Sequence, residues 1–266
     1  MRKSNNLISY MLKFKTSHCM ILILFFSVNI AIAQKDKDST AFSSNMQFLI
    51  DYQKKVDFDA LGNELTKYST TNLRSVTVTW YPEEAWRISI IQEDFLDPNS
   101  EALLKALKPY ILLFVLDCQT DEMGISTNCN SKLEIRNNIQ VIDADGNRYL
   151  PLLDEEIPMT AKMIVSMLKP LFDELYGPRA EDVHAFLFPA VNEKDAYFTN
   201  PYKQGLFTVK LQENEFTWKL PLGPLFPPKF CPQDGEKLTG TWQYCPFHGH
   251  KLPDSNKTSL DMTEKN

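Results

Sequence analysis

The chain has 266 residues and a formal net charge of −6, and 12% of its residues are aromatic. This acidic balance gives no support for binding nucleic acid or an anionic membrane, because both are recognised by clustered lysine and arginine. The length and aromatic content predict a folded protein with a sizeable core, built as one larger domain or two small ones.

Residues 1–33 have the features of a cleavable secretory signal. Four basic residues precede an apolar run at 20–33, which ends in Ala31-Ile32-Ala33 before Gln34. This ending is typical of a signal peptidase site, and the run of roughly 14 residues is shorter than the about 20 that a transmembrane helix needs. We therefore predict an exported protein, periplasmic or extracellular, with no membrane span after cleavage; a retained anchor is the disfavoured alternative. Loss of the four basic side chains leaves a net charge of −10.

The next segments are a predicted loose stretch at 34–44 and a main domain at 45–228. Apolar residues at helical spacing over 46–68 predict one or two amphipathic helices at the start of this domain. No family resemblance is found for the main domain as a whole.

Alternating apolar residues then predict two strands, at 74–81 and 86–92, joined by a hairpin turn at 82–85. A short helix is predicted over 101–107, and Pro109 ends it.

The central part of the domain carries the clearest strand signal. An almost entirely apolar stretch at 110–116 predicts a strand that is buried on both faces, and apolar residues over 133–142 predict its neighbour. Cys118 and Cys129 flank the polar loop at 119–128, so an exported protein is expected to join them in a disulfide. Two buried free thiols are the alternative.

A turn at 143–147 follows, leading into a strand at 148–152. Asp143, Asp145 and Asn147 alternate as calcium ligands do, but the position of the closing Glu is Asp154 and the flanks are strands. A hairpin with Asp-Gly chemistry is therefore the preferred interpretation.

Apolar residues at a period near 3.6 predict a helix over 159–175, which Pro170 should kink or split. Three further strands are predicted at 185–188, 206–211 and 216–220. Because short turns join most strands, we predict an α+β fold with a largely antiparallel sheet and amphipathic helices on one side.

The main domain contains no recognisable catalytic signature. After loss of the signal the chain has three histidines, and His184 starts an apolar strand, where a packed or hydrogen-bonded histidine is expected. A Ser-His-Asp or Cys-His site would have to include one of the three.

The segment 229–252 repeats itself. An eight-residue unit beginning Cys231-Pro232 and ending in Leu238 matches a second unit beginning Cys245-Pro246 and ending in Leu252. Both units carry a glycine in the fifth position and a lysine in the seventh. A tight turn of this kind directs a thiolate and the residue three positions later at one ion, and the glycine supplies the positive φ that the turn needs.

Residues 230–252 resemble the knuckle pair of zinc-ribbon and rubredoxin-like proteins, in which each unit is normally Cys-Pro-x-Cys-Gly. The resemblance implies a metal site with Cys231 and Cys245 as first ligands, His248 in place of the second thiolate, and Asp234 as an oxygen ligand. His250 is an alternative fourth ligand. A Cys231–Cys245 disulfide across the hairpin is the alternative to metal binding.

Four protein ligands would make the zinc structural, whereas three ligands and a water could support hydrolysis. We therefore predict an exported, non-enzymatic binding or assembly protein with a structural zinc ion and an unknown protein or small-molecule partner. The alternative is a zinc-dependent hydrolase with an open Cys2His site and Asp234 or Glu236 as base. A redox or metal-trafficking role is a third hypothesis. The polar segment 253–266 is predicted to be a disordered tail.

Overall fold

The computed structural model describes residues 53, 56–71, 73–92, 104–121, 126–167, 177–192 and 196–253. The predicted signal, the loose segment at 34–44, the tail after Pro253 and the kink expected at Pro170 all lie outside the described residues. Within the described part of the chain, no helix combines the length and the apolar character needed to cross a membrane.

The fold is mixed α+β, and its sheets are antiparallel, as the sequence predicts. The helices are α1 (Phe58–Leu65), α2 (Glu83–Gln92), α3 (Lys132–Arg136) and α4 (Met159–Met167), with 3-10 helices at Gly177–Asp182 and Gly223–Leu225. The described part of the helix predicted over 101–107, residues 104–107, is also helical. The strands are β1 (Thr66–Thr70), β2 (Arg74–Trp80), β3 (Tyr110–Thr120), β4 (Ser126–Cys129), β5 (Ile139–Asp143), β6 (Arg148–Tyr149), β7 (His184–Pro189), β8 (Gly205–Leu211), β9 (Asn214–Leu220), β10 (Lys229–Phe230) and β11 (Lys237–Leu238).

The strands of the main body divide between two sheets. The first contains β1, β2, β3, β4 and β7; β2 pairs along one edge of the long strand β3, while β4 and β7 share its other edge. The second has the order β6-β5-β8-β9. Strands β10 and β11 form a separate two-stranded hairpin near the C-terminus.

One hydrophobic core joins the two sheets. Trp80 of β2 contacts Phe207 of β8 edge to face at a centroid distance of 4.9 Å, and Phe207 stacks on Trp218 of β9 at 5.1 Å. All three rings are buried, and the indole nitrogen of Trp218 donates to the main-chain oxygen of Leu65 at 3.2 Å. Burying rings of this size is a dominant contribution to stability, so these contacts fix α1 and both sheets in one body.

The hairpin turn predicted at 82–85 and the strand predicted at 86–92 are wrong, because residues Glu83–Gln92 form helix α2. The main-chain oxygen of Pro82 accepts from the N–H groups of Ala85 and Trp86, and Glu83 pairs with Arg87 one turn later. Ala85 and Ile88 are buried at helical spacing, so packing favours the helix over the alternating pattern.

Two other boundaries differ from the prediction. The helix predicted to 68 ends at Leu65, and the β-branched stretch that follows forms β1, paired with β2. The neighbour predicted for β3 at 133–142 is instead helix α3 followed by β5, which belongs to the second sheet. A capping box between Ser131 and Glu134 starts α3, because the Ser131 hydroxyl accepts from the Glu134 N–H and the Glu134 carboxylate accepts from the Ser131 N–H.

The predictions for the cysteine loop and for the Asp-Gly turn are confirmed. Cys118 and Cys129 are directly opposite each other in β3 and β4 and form a disulfide. The turn after Asp143 joins β5 to β6 as a hairpin. The described part of the helix predicted over 159–175 is α4, which extends from Met159 to Met167.

Candidate metal centre

The two units of the C-terminal repeat form two loops with the same hydrogen bonds. In each loop the cysteine N–H donates to the main-chain oxygen five residues later, at 3.0 Å for Cys231 and 2.8 Å for Cys245. The N–H groups of Gly235 and Gly249 donate back to the oxygens of these cysteines, both at 2.8 Å. The sequence repeat is therefore also a structural repeat.

The loops turn sharply because their glycines have positive φ, +76° at Gly235 and +68° at Gly249. This is the left-handed conformation that glycine adopts without steric cost. As a result, two successive N–H groups lie beside each sulfur, those of residues 233 and 234 at Cys231 and those of residues 247 and 248 at Cys245. Such N–H groups stabilise a thiolate.

Behind the loops lies a small hydrophobic core that is separate from the core of the main body. It consists of the two cysteines and the last residue of each repeat unit, Leu238 and Leu252, all of which are buried. The repeat therefore encloses its cysteines between two leucines, while its polar residues face outward.

Three side chains converge at the mouths of the two loops. One ligand atom each from Cys231, Cys245 and His248 lies within 4.8 Å of the others. The His248 Nδ1 atom is 3.4 Å from the Cys231 sulfur and 3.6 Å from the Cys245 sulfur. Both thiols are free, in contrast to Cys118 and Cys129, so this group could hold a metal ion.

Asp234 lies at the edge of this group. Its Oδ1 atom accepts from the Glu236 N–H at 3.0 Å, and its Oδ2 atom is 3.6 Å from His248 Nδ1. The bond with Glu236 holds the pKa of Asp234 below its usual value, so the carboxylate is a ready anionic ligand beside the cluster.

His250, the alternative fourth ligand, is directed elsewhere. Its Nε2 atom lies 2.8 Å from the side-chain oxygen of Gln233, within hydrogen-bonding distance, and it is not among the three convergent ligands. The structure thus separates the two histidines of the second loop, with His248 in the cluster and His250 bridging the outer surfaces of the loops. The sequence reasoning missed Gln233, because a glutamine in a turn has no distinctive signal.

The two sulfurs differ in their electrostatic environment. Burial raises the pKa of the Cys231 thiol above its usual value despite the nearby N–H groups. Burial acts in the same direction on Cys245, but its N–H donors, Cys231 and His248 together outweigh it, so the pKa of Cys245 is lowered. Cys245 is therefore the sulfur that ionises first.

The two other candidate sites from the sequence have structural roles. The Asp143 carboxylate accepts hydrogen bonds from the N–H groups of Asp145 and Asn147, the Asn147 amide and the Tyr149 hydroxyl. Burial alone would raise the pKa of Asp143, but these hydrogen bonds hold it below the usual value. All of the donors lie in the same hairpin, so the carboxylate stabilises its own turn. His184 is half-buried, and burial lowers its pKa despite a hydrogen bond with the Asn130 backbone.

No family model matches the chain, and no curated protein matches it. A solved crystal structure of a novel protein of unknown function from Burkholderia pseudomallei K96243 is 12% identical and has a TM-score of 0.30. The match covers 69% of this chain and 93% of that one. A similarity this weak carries no argument about fold or function.

Proposed function

We propose that this chain is an exported, non-enzymatic binding or assembly protein whose C-terminal hairpin is held by a structural zinc ion. The observation that carries the proposal is the convergence of two thiols and an imidazole nitrogen from the two loops of an internal repeat. Zinc prefers this combination of sulfur and nitrogen ligands.

The distances fit tetrahedral zinc. Zinc bonds of about 2.3 Å to sulfur and about 2.0 Å to nitrogen, at the tetrahedral angle, place the two ligand atoms about 3.5 Å apart. The Nδ1 atom of His248 lies 3.4 and 3.6 Å from the two sulfurs. Cys231, Cys245 and His248 would thus need little rearrangement to share one ion.

The fourth position decides between a structural and a catalytic role. The Glu236 N–H fixes one oxygen of Asp234, and the other oxygen lies 3.6 Å from His248 Nδ1. Coordination by this oxygen would fill the tetrahedral shell and leave no site for an activated water, which favours the structural role over the hydrolase alternative.

Export is supported by two observations. The chain begins with the features of a secretory signal, and the Cys118–Cys129 disulfide is typical of oxidising compartments. In such a compartment Cys231 and Cys245 would be expected to pair with each other, and bound zinc would keep them apart as thiolates.

The test is elemental analysis of the protein secreted from an oxidising compartment, without added metal or chelator. We expect about one zinc ion per chain, retained by His250→Ala and lost by His248→Ala, and a single disulfide by intact mass. X-ray absorption at the zinc edge should show two sulfurs, one nitrogen and one oxygen, with the oxygen signal altered by Asp234→Ala. A metal-free protein with two disulfides would overturn the proposal, and zinc with a bound water that hydrolyses esters would favour the hydrolase.

A further inference from the structure

A cleft of about 590 Å³ lies where the C-terminal hairpin meets the main body. Glu64 of α1, Lys67 of β1 and Lys219 of β9 line one side of it. Thr239, Thr241 and Trp242, which follow β11 in the hairpin, line the other. The volume is within the range of small-molecule sites in proteins, about 300 to 1,000 Å³.

Glu64, which lines this cleft, uses only one of its two carboxylate oxygens in a hydrogen bond with the described part of the chain. Its Oε2 atom accepts from the Gly223 N–H at 3.1 Å, whereas no group among the described residues donates to Oε1. The side chain is half-buried, and burial raises its pKa despite the Gly223 bond and the nearby charge of Lys67. A half-buried carboxylate oxygen of this kind is a ready acceptor for a ligand hydroxyl.

The hairpin side of the cleft supplies hydroxyl groups. The Oγ1 atoms of Thr239 and Thr241 are 3.4 Å apart, so one hydroxyl donates to the other. Each hydroxyl has one donor and two acceptor positions, so within the residues that the structure describes the pair keeps one donor and further acceptor positions for a ligand. Such a surface suits a ligand that both donates and accepts.

Trp242 adds an aromatic residue to the lining of the cleft. The residue is 41% exposed. The main-chain N–H of Trp242 donates to the main-chain oxygen of Thr239 at 3.3 Å. The main-chain oxygen of Trp242 accepts from the ammonium group of the buried Lys229 at 2.7 Å. These bonds hold the main chain that carries the ring, and an aromatic side chain with few rotatable bonds gives contact area at low entropic cost.

Charges of both signs line the cleft, namely the carboxylate of Glu64 and the ammonium groups of Lys67 and Lys219. A ligand that carries several charges of one sign would meet a like charge on one side of the cleft, whereas a ligand with hydroxyl groups can accept from the two lysines and donate to Glu64. A saccharide satisfies all of these features, since it is neutral, donates and accepts through several hydroxyls, and offers a C–H face to an aromatic ring.

We propose that this cleft binds a short neutral saccharide, with Trp242 as the stacking surface and Glu64, Thr239 and Thr241 as hydrogen-bonding partners. The inference rests on the proposed function, because zinc would hold the hairpin that carries Trp242.

The test is saturation-transfer difference NMR of the zinc-loaded protein with cellotetraose, maltotetraose, xylotetraose and N-acetylated chitotetraose. We expect transfer to at least one of them, a loss of affinity of tenfold or more in Trp242→Ala, and recovery in Trp242→Phe. Tyr244→Ala is the matched control, because Tyr244 is an exposed aromatic of the same hairpin that does not line the cleft. No transfer to any of the four, or equal affinity in Trp242→Ala, would overturn the inference.

Metal analysis of the same samples separates the two proposals. Full zinc occupancy without saccharide binding refutes the cleft and leaves the metal site intact. Saccharide binding by a protein without zinc supports the cleft and refutes the structural zinc.

Discussion

The hairpin at 229–252 is expected to lose its hydrogen-bonded structure when zinc is removed or when His248 is replaced by alanine. The two leucines of its small core contribute on the order of 3 to 6 kcal/mol through burial. Structural zinc in peptides of similar size contributes roughly 10 to 16 kcal/mol. The proposed zinc ion would thus be the larger stabilising contribution, and the leucines alone are not expected to hold two tight loops closed.

Hydrogen exchange followed by mass spectrometry measures this loss residue by residue. The informative amides are those of Cys231, Gly235, Cys245 and Gly249, which close the two loops through bonds of 2.8 to 3.0 Å. A local destabilisation of about 4 kcal/mol corresponds to about thousand-fold faster exchange, since 1.4 kcal/mol is a factor of ten. Strands β2 and β3 should keep their protection, because they belong to the separate core of the main body.

The matched control is His250→Ala in the same loop. Its imidazole is directed at Gln233 outside the metal group, so exchange at the loop amides should change by less than about tenfold. Unchanged exchange after chelation, or equal effects of His248→Ala and His250→Ala, would refute the reasoning.

Three predictions concern the main body and its junction with the hairpin. Gly240→Ala should lower the melting temperature, because the new Cβ would lie 2.3 Å from the main-chain oxygen of Pro227 and overpacking of this kind costs about 1 to 3 kcal/mol. Arg74→Met should lower the free energy of unfolding, measured by urea denaturation, by about 3 to 5 kcal/mol, because it leaves the buried carboxylate of Asp117 without its cation. Glu84→Gln should remove a pH dependence of the free energy of unfolding that amounts to about 3 kcal/mol, because burial raises the pKa of Glu84 to about 7. An acid with a raised pKa stabilises the fold less when ionised, so wild-type stability should fall as pH rises from about 4.5 to about 7, and the variant should exceed wild type at pH 8 but not at pH 4.

Matched variants separate these mechanisms from general damage. Gly205→Ala places its Cβ no closer than 3.4 Å to any neighbour, so it should cost less than Gly240→Ala. Lys210→Met breaks an exposed ion pair with Glu215 and should cost at most about 1 kcal/mol. Equal losses of stability in Gly240→Ala and Gly205→Ala would contradict the overpacking mechanism, and equal losses in Arg74→Met and Lys210→Met would contradict the buried-charge mechanism. A stability difference between Glu84→Gln and wild type that does not vary with pH would contradict the raised pKa.

The two loops of the repeat and the convergence of Cys231, Cys245 and His248 could be predicted from the sequence because their determinants are local. Two cysteines, two glycines and His248 occur at fixed offsets within two units of eight residues each, and a tight turn fixes where such residues lie. The positions of the Asp234 and His250 side chains could not be predicted in this way. They depend on side-chain direction, namely the contact of His250 with Gln233 and the bond of Asp234 with the Glu236 N–H.

Helix α2 shows why local pattern failed elsewhere. Trp86 and Ile88 alternate with polar residues as in a strand, but the Tyr81 and Trp86 rings pack at a centroid distance of 4.6 Å and favour the helix. Strand β5 contains only the second part of the strand predicted over 133–142, and its place in the second sheet depends on pairing with β8, more than sixty residues later in the chain. Alternation identifies a buried face, whereas the partner is set by packing across the core.

The cleft was not predictable, since it arises where the hairpin packs against α1 rather than within any one segment. A Cβ at Gly223 would lie 2.3 Å from the Thr239 hydroxyl and 3.1 Å from the Glu64 carboxylate. Only a residue without a side chain allows the Thr239 hydroxyl and the Glu64 carboxylate to lie so close to the main chain at position 223. Gly223 does not have the positive φ that would mark it as a turn glycine. A larger residue at position 223 is therefore expected to push the hairpin away from α1 and separate Glu64 from Thr239. The proposed saccharide affinity should then fall while both loops of the repeat, whose hydrogen bonds are internal to the hairpin, remain closed.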